Sequence, residues 1–293
     1  MNICKYINTE RTAMKNTFSL FTIFITIAAL ILGNLVVATN SGDACGTDYP
    51  FCNGQLIPDI TNYHIIIEYS HRLFTMLLGF IILINFIIAW KKSKNRTIRL
   101  FSLFTLSLLF IQSLIGGLNV LFGTPTGFTT LDVMFSLFLL ISLIFLHVGL
   151  NVSSFDKKTN VIRQPLIKGF FFLLVEILIG ALFKHFELSQ QIFQISTNRF
   201  NLSYLTYFIH GILGLLILFY ISYAVFLTFK WEVFKKKATL LISLTFLTTI
   251  GGFISKSEQI SPFTSSVHMI LTILTLALLS YMTAICFFNQ MKK

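Results

Sequence analysis

Eight stretches of this 293-residue chain are long and apolar enough to cross a bilayer, at about 17–39, 65–90, 98–122, 128–150, 166–186, 203–229, 238–255 and 262–288. A helix needs about 20 predominantly apolar residues to span the hydrocarbon core. Within lipid, every backbone N–H and C=O must be paired inside the segment, which a helix achieves alone. The connections between the stretches are too short to hold a soluble domain. Composition excludes the alternatives: 55% of residues are hydrophobic and 11% charged, whereas a soluble domain carries about 25% charged residues. A water-soluble globule, a disordered chain and a collagen-like chain are all ruled out. The expected fold is an all-α integral membrane protein with eight transmembrane helices. The first stretch exceeds the roughly 7–15-residue apolar region of a signal peptide, so it is read as a retained helix.

The net charge of +11 would point to nucleic acid if the basic residues formed a patch on a folded domain. They stand instead in short runs between the apolar stretches, which excludes a nucleic-acid partner and leaves membrane lipid. Lys5, Arg11 and Lys15 precede the first stretch. Lys91, Lys92, Lys94, Arg96 and Arg99 follow the second, and Lys157, Lys158, Arg163 and Lys168 follow the fourth. Lys230, Lys235, Lys236 and Lys237 follow the sixth, and Lys292 and Lys293 end the chain. These are 18 of the 22 Lys and Arg, leaving Arg72, Lys184, Arg199 and Lys256. Basic residues accumulate on the cytoplasmic side, so both termini are expected in the cytoplasm of a cell membrane protein. The loop holding Cys45 and Cys52 is then outside, in an oxidising compartment where a disulfide forms readily. Two free thiols are the alternative. Cys4 and Cys286 stand alone near the chain ends.

An internal repeat runs through the helices. The odd ones carry Leu32-Gly33-Asn34, Ile115-Gly116-Gly117, Ile179-Gly180-Ala181 and Ile250-Gly251-Gly252 near their outer ends. Small residues admit a neighbouring helix or a flat ligand closely. The even helices each carry a polar residue a turn or two inside their outer end: His71, Asp132, His210 and His268. The chain therefore reads as two pseudo-symmetric four-helix bundles, 17–150 and 166–288.

Ionisable groups within a membrane are costly and face the bundle interior, so each is a functional candidate. His210 and His268 stand at matching depth on two helices of one half. That suits bis-histidine axial ligation of a haem; a non-haem metal takes more ligands than this half offers. Hydrogen-bonded packing is the alternative for either histidine. In the first half, Glu68 and His71 share a helix face at i and i+3. Arg72 at the boundary either meets an anion such as a haem propionate or reaches the headgroups. Asp132, the counterpart on helix 4, suits a bound water or a proton more than haem iron. Glu176 in mid-helix 5 is read as structural, protonated or paired, with a proton-path role as the alternative, and His64, His147 and His185 as non-ligands.

The run from Cys45 to Pro58 (CGTDYPFCNGQLIP), followed by Glu68-Tyr69-Ser70-His71-Arg72, resembles the outer loop and second helix of the haem A synthases of the CtaA type. Gln112 with Gly116-Gly117 and the helices of His210 and His268 extend the similarity over nearly all eight helices. The resemblance implies oxidation of the haem O methyl group to the formyl of haem A for terminal oxidases. It implies a haem b cofactor on His210 and His268, and a substrate haem in the first half, with Glu68 and His71 as the catalytic residues (His71 on the substrate iron, Glu68 orienting or deprotonating) and Arg72 and Asp132 lining the site. Cys45 and Cys52 correspond to a pair that delivers electrons or shapes the loop. Haem O synthase and a terminal oxidase are the implied partners, with a homo-oligomer left open. The chain departs from the family pattern at Asp132, where a histidine is usual, and at Val37, where a basic residue is usual. Asp132 keeps open a membrane cytochrome b that only transfers electrons, or a non-catalytic haem-handling assembly protein.

Overall fold

The computed structural model describes residues 17–125, 127–151, 159–186, 202–232, 234–257 and 261–291. Lys5, Arg11, Lys15, Lys157, Lys158, Arg199, Lys292 and Lys293 lie outside the described residues. Among the described residues there are eight helices: α1 (Thr17–Ala38), α2 (Tyr63–Lys92), α3 (Arg96–Leu121), α4 (Phe128–Asn151), α5 (Thr159–His185), α6 (Leu202–Lys230), α7 (Lys235–Ser257) and α8 (Pro262–Met291). All eight are long and apolar enough to span a membrane.

Several helices outrun their apolar stretches because backbone hydrogen bonding continues where hydropathy fades. The largest difference is α5, expected from 166 and observed from Thr159, with Pro165 inside it. Its polar first turn is held from across the bundle, where Asn289 Nδ2 on α8 donates to Thr159 Oγ1 at 2.5 Å. Asn62 and Asn95 cap α2 and α3, their side chains accepting from His64 N (3.0 Å) and Thr97 N (2.8 Å). Such caps satisfy N–H groups that the first turn leaves unpaired. At the turn between α2 and α3, the Arg99 guanidinium lies 5.1 Å from the centre of the Trp90 ring.

Helices α1 to α4 form one ring, α1 packing on α2 and α4, and α3 on α2 and α4. Helices α5 to α8 form the equivalent ring, α5 packing on α6 and α8, and α7 on α6 and α8. The rings meet where α4 packs on α8, flanked by α1 on α8 and α4 on α5. Exchanging the two halves maps this arrangement onto itself, as expected for a duplicated bundle. The axis pair carries much of the core: Leu137, Leu140 and Leu143 of α4 and Ile273, Leu276 and Leu279 of α8 are fully buried. Gly149 of α4 lets the Phe288 ring of α8 approach, since a Cβ there would stand 2.9 Å from Phe288 Cζ. Phe24, Phe80, Phe110 and Phe219 face outward, as apolar side chains do when the solvent is lipid.

Candidate functional site

The glycine repeat and the polar repeat meet in space, four times. A Cβ added to Gly33 of α1 would stand 3.0 Å from His71 Cε1 of α2, and one on Gly116 of α3 would stand 3.6 Å from Asp132 Oδ1 of α4. In the second half, a Cβ on Gly180 of α5 would lie 2.7 Å from His210 Cε1 of α6, and one on Gly252 of α7 would lie 3.2 Å from His268 Cε1 of α8. Each odd helix thus gives up a side chain where the next helix brings its polar group, all four at the end of the bundle that carries the Cys45–Cys52 loop.

His210 and His268 come together. Their ring centres are 6.4 Å apart and their planes are inclined by 85°. Metal–imidazole bonds are about 2 Å long, so this spacing leaves room for a single metal atom between two ring nitrogens. The His268 Nδ1–H donates to the Thr248 carbonyl at 2.9 Å. A carbonyl only accepts, so Nδ1 carries the proton and Nε2 is left with a free lone pair. The ring reaches that carbonyl because Gly252, one turn along α7, has no side chain in the way. Among the described residues no group of three His, Cys, Asp or Glu side chains converges as a metal site.

Glu176, expected from the sequence to be a structural residue, stands behind His210. Its Oε1 is 2.9 Å from His210 Nδ1, off the axis of a hydrogen bond. Gly214, one turn beyond His210 on α6, makes the space, since a Cβ there would lie 3.3 Å from Glu176 Oε1. The sequence carries one signal of this role: Glu176 precedes Gly180 by one turn, so the two share a helix face.

The first half is built differently. His71 packs on Gly33, and its Nδ1 is closed off from solvent with no hydrogen-bond partner. Asp132 Oδ1 accepts from Gln112 Nε2 at 2.6 Å, leaving Gln112 Oε1 buried and unpaired. Orphaned polar atoms of this kind are uncommon in protein interiors.

Glu68 and Arg72 turn away from His71 toward the loop. Arg72 pairs with Glu68 Oε1, the pair being 3% and 4% exposed. The other Glu68 oxygen, Oε2, accepts from Cys45 N at 2.7 Å. Arg72 also donates to the carbonyls of Phe51 (Nη1, 3.0 Å) and Gly46 (Nη2, 2.6 Å). Gly46 has φ +62°, a left-handed conformation that glycine adopts without strain and that aims its carbonyl at the guanidinium. Cys45 and Cys52 form a disulfide and are fully covered. Tyr69 Oη donates to the Leu56 carbonyl, and Ser41 Oγ lies 2.9 Å from His64 Nδ1. His64, Glu68 and Arg72, four residues apart in turn, make one face of α2 into a dock for the loop. Further along the loop, Asp59 accepts from Thr61 N and Oγ1, and these bonds hold its carboxyl below the ordinary carboxylate range.

A profile of the family described as "Cytochrome oxidase assembly protein" matches residues 16–189. The chain belongs to the haem A synthase family of cytochrome oxidase assembly proteins. It is 28% identical to "Heme A synthase" of Alkalihalophilus pseudofirmus over 290 residues, 92% of this chain and 96% of that protein. It is 30% identical to "Heme A synthase" of Exiguobacterium sibiricum over 173 residues, 57% and 58% of the two chains. With "Heme A synthase" of Halalkalibacterium halodurans the identity is 38% over 98 residues, 33% of each. Within this family setting, the two halves are chemically unequal: two imidazoles with a carboxylate in the second, one imidazole with an aspartate in the first.

Proposed function

We propose that this chain is a membrane haem A synthase, oxidising the methyl group of haem O to the formyl group of haem A for terminal oxidases. The observation that carries the reading is the meeting of four interhelical glycines with His71, Asp132, His210 and His268 in a chain of this family. We assign His210 and His268 as the residues that would hold a resident haem b, which would supply one-electron transfer when bound. Thr248 holds His268 in the tautomer a metal needs, and Glu176 sets the orientation of His210; contacts behind a ligand fix its ring and its basicity. We assign His71 to the iron of the substrate haem. A single imidazole in that half, with Asp132 on α4 in place of a second, suits a haem that must arrive and leave. Glu68 and Arg72 act as positioning residues that keep the Cys45–Cys52 loop on α2 and cover His71 from water. The Lys and Arg distribution supports both termini in the cytoplasm and the Cys45–Cys52 loop outside. Haem O synthase is then the source of the substrate and a terminal oxidase the destination of the product.

The test is expression in a host that makes haem O, followed by extraction and chromatography of its pigments. Haem A, or a hydroxylated intermediate between the two, is the expected product. A folded, haem-loaded protein that yields neither overturns the catalytic reading. It would favour the second reading, a cytochrome b that only transfers electrons, to which the Asp132–Gln112 pair lends weight.

The glycine cradles make a further prediction. Cβ atoms do not approach other atoms as closely as the 2.7 Å that Gly180→Ala would impose on His210 Cε1. The ring must therefore move, and haem content of the purified variant should fall several-fold. Gly79→Ala on α2, where an added Cβ meets nothing within 4 Å, should leave it unchanged. Equal pigment in the two variants would mean that the Gly180 cradle does not set the ligand.

A further inference from the structure

Glu176, Gly180 and Lys184 follow one another at four-residue intervals along α5, so they lie on one face. The first stands behind His210 and the second cradles it. Lys184 is one turn nearer the loop end, and its Nζ donates to Ser265 Oγ of α8 at 2.9 Å and to Asn34 Oδ1 of α1 at 3.4 Å. Ser265 precedes His268 by three residues on α8, and Asn34 adjoins Gly33, the cradle of His71. The ammonium therefore sits at the seam between the halves, at the rim of the pocket that His210 and His268 define.

Among the described residues, its hydrogen-bond acceptors are these two oxygens. Both partners of Lys184 are neutral, and the carboxylates of Glu68 and Glu232 pair with Arg72 and Lys235 instead. The Asn34 Nδ2 donor beside it is closed off from solvent without a partner, as is Ser266 Oγ next to Ser265. A half-buried ammonium among spare donors is a poor arrangement unless an anion completes it. The first half lacks the counterpart: four residues beyond Gly33, where the repeat would place a cation, stands Val37.

We propose that Lys184, with Asn34 Nδ2 and Ser265, forms a carboxylate-binding site that holds a propionate of the haem between His210 and His268. This rests on the reading of those histidines as ligands. A charge-assisted bond of this type tethers the second pocket's haem by its edge as well as its iron. The first pocket, with Val37 and Asp132, has neither the cation nor the second imidazole. Retention in one half and exchange in the other follow from the same two positions of the repeat.

The experiment titrates full-length apoprotein in detergent, made in a haem-deficient host, with haem b and with haem b dimethyl ester, whose propionates are uncharged. The readout is the bis-imidazole absorption spectrum. Wild type should bind the free acid about tenfold more tightly than the ester relative to Lys184→Met, in which the preference disappears. Partitioning of each pigment into detergent is common to both proteins and cancels in that ratio. Lys184→Arg should keep the preference. Equal weakening of both pigments in Lys184→Met, or no weakening, would assign Lys184 to packing and overturn the proposal. So would an acid preference absent from wild type, a measurement that needs no variant. An acid preference surviving in His210→Ala, read there as total pigment bound after gel filtration, would move the carboxylate to the first pocket and overturn the assignment made here. No bis-imidazole spectrum in wild type with either pigment would instead refute the ligand reading itself.

Discussion

Purified His210→Ala and His268→Ala proteins are expected to lose the bis-imidazole haem spectrum, with haem in the second half falling at least tenfold. The rings stand 6.4 Å apart, centre to centre, and on the proposed ligation removing either would leave one imidazole to hold the iron. A folding defect is separated from a ligand defect by rescue. In His210→Gly, added imidazole should restore the spectrum, because the space beside Gly180 and Glu176 is then open to a free ring. A control is His147, which lies 2.6 Å from Ser19 Oγ and 3.1 Å from Asn151 Nδ2 at the opposite end of the bundle. His147→Ala should leave the spectrum as it is. An unchanged spectrum in His210→Ala would mean that the ligands lie elsewhere.

Arg72→Ala should open the disulfide loop. Removing one member of a buried ion pair costs about 3–5 kcal/mol, because the partner is left charged and unpaired. Here the variant strands Glu68, which is 3% exposed, and frees the carbonyls of Gly46 and Phe51. The Cys45–Cys52 bond is fully covered, so a reductant reaches it through loop opening. A change of about 3 kcal/mol in that opening raises its population on the order of 100-fold. The expected result is a reduction of the disulfide by dithiothreitol accelerated by that order, followed by mass-tagging of the released thiols. Arg72→Lys keeps the charge but loses the fork that reaches two carbonyls and Glu68 at once, and should fall between. A reduction rate equal to wild type would show that Arg72 does not hold the loop.

The glycine and polar repeats are legible in the amino-acid sequence because both are properties of single helices in register. An apolar stretch is local, and a histidine or glycine at a fixed distance from its end is visible by counting. His210 and His268 are two of four such positions, and their convergence follows once the duplicated halves each close into a ring. Glu176 and Lys184 stand out in the sequence only as isolated polar residues on α5. Their meaning depends on which face of α5 meets α6, α8 and α1, and hydropathy carries little information about faces when lipid and core are both apolar. The start of α5 is hidden from hydropathy for a related reason, since Asn289 on α8, 130 residues away, holds its polar first turn.

Glu68 and Arg72, expected as pocket groups, show the same boundary from the other side. Their helical spacing to His71 is as expected, yet Glu68 and Arg72 face the returning loop while His71 faces Gly33. By itself, the sequence determined that the chain lives in lipid, crosses it with eight helices and repeats a glycine-plus-polar pattern twice in each half. Hydrophobicity, helix length and periodicity are sums over neighbouring residues, so no partner element is needed to evaluate them. Only the tertiary structure decided which polar groups meet: Glu176 with His210, Lys184 with Ser265 and Asn34, Arg72 with the loop. These are contacts between residues far apart in the chain, and each depends on the rotation of one helix against another.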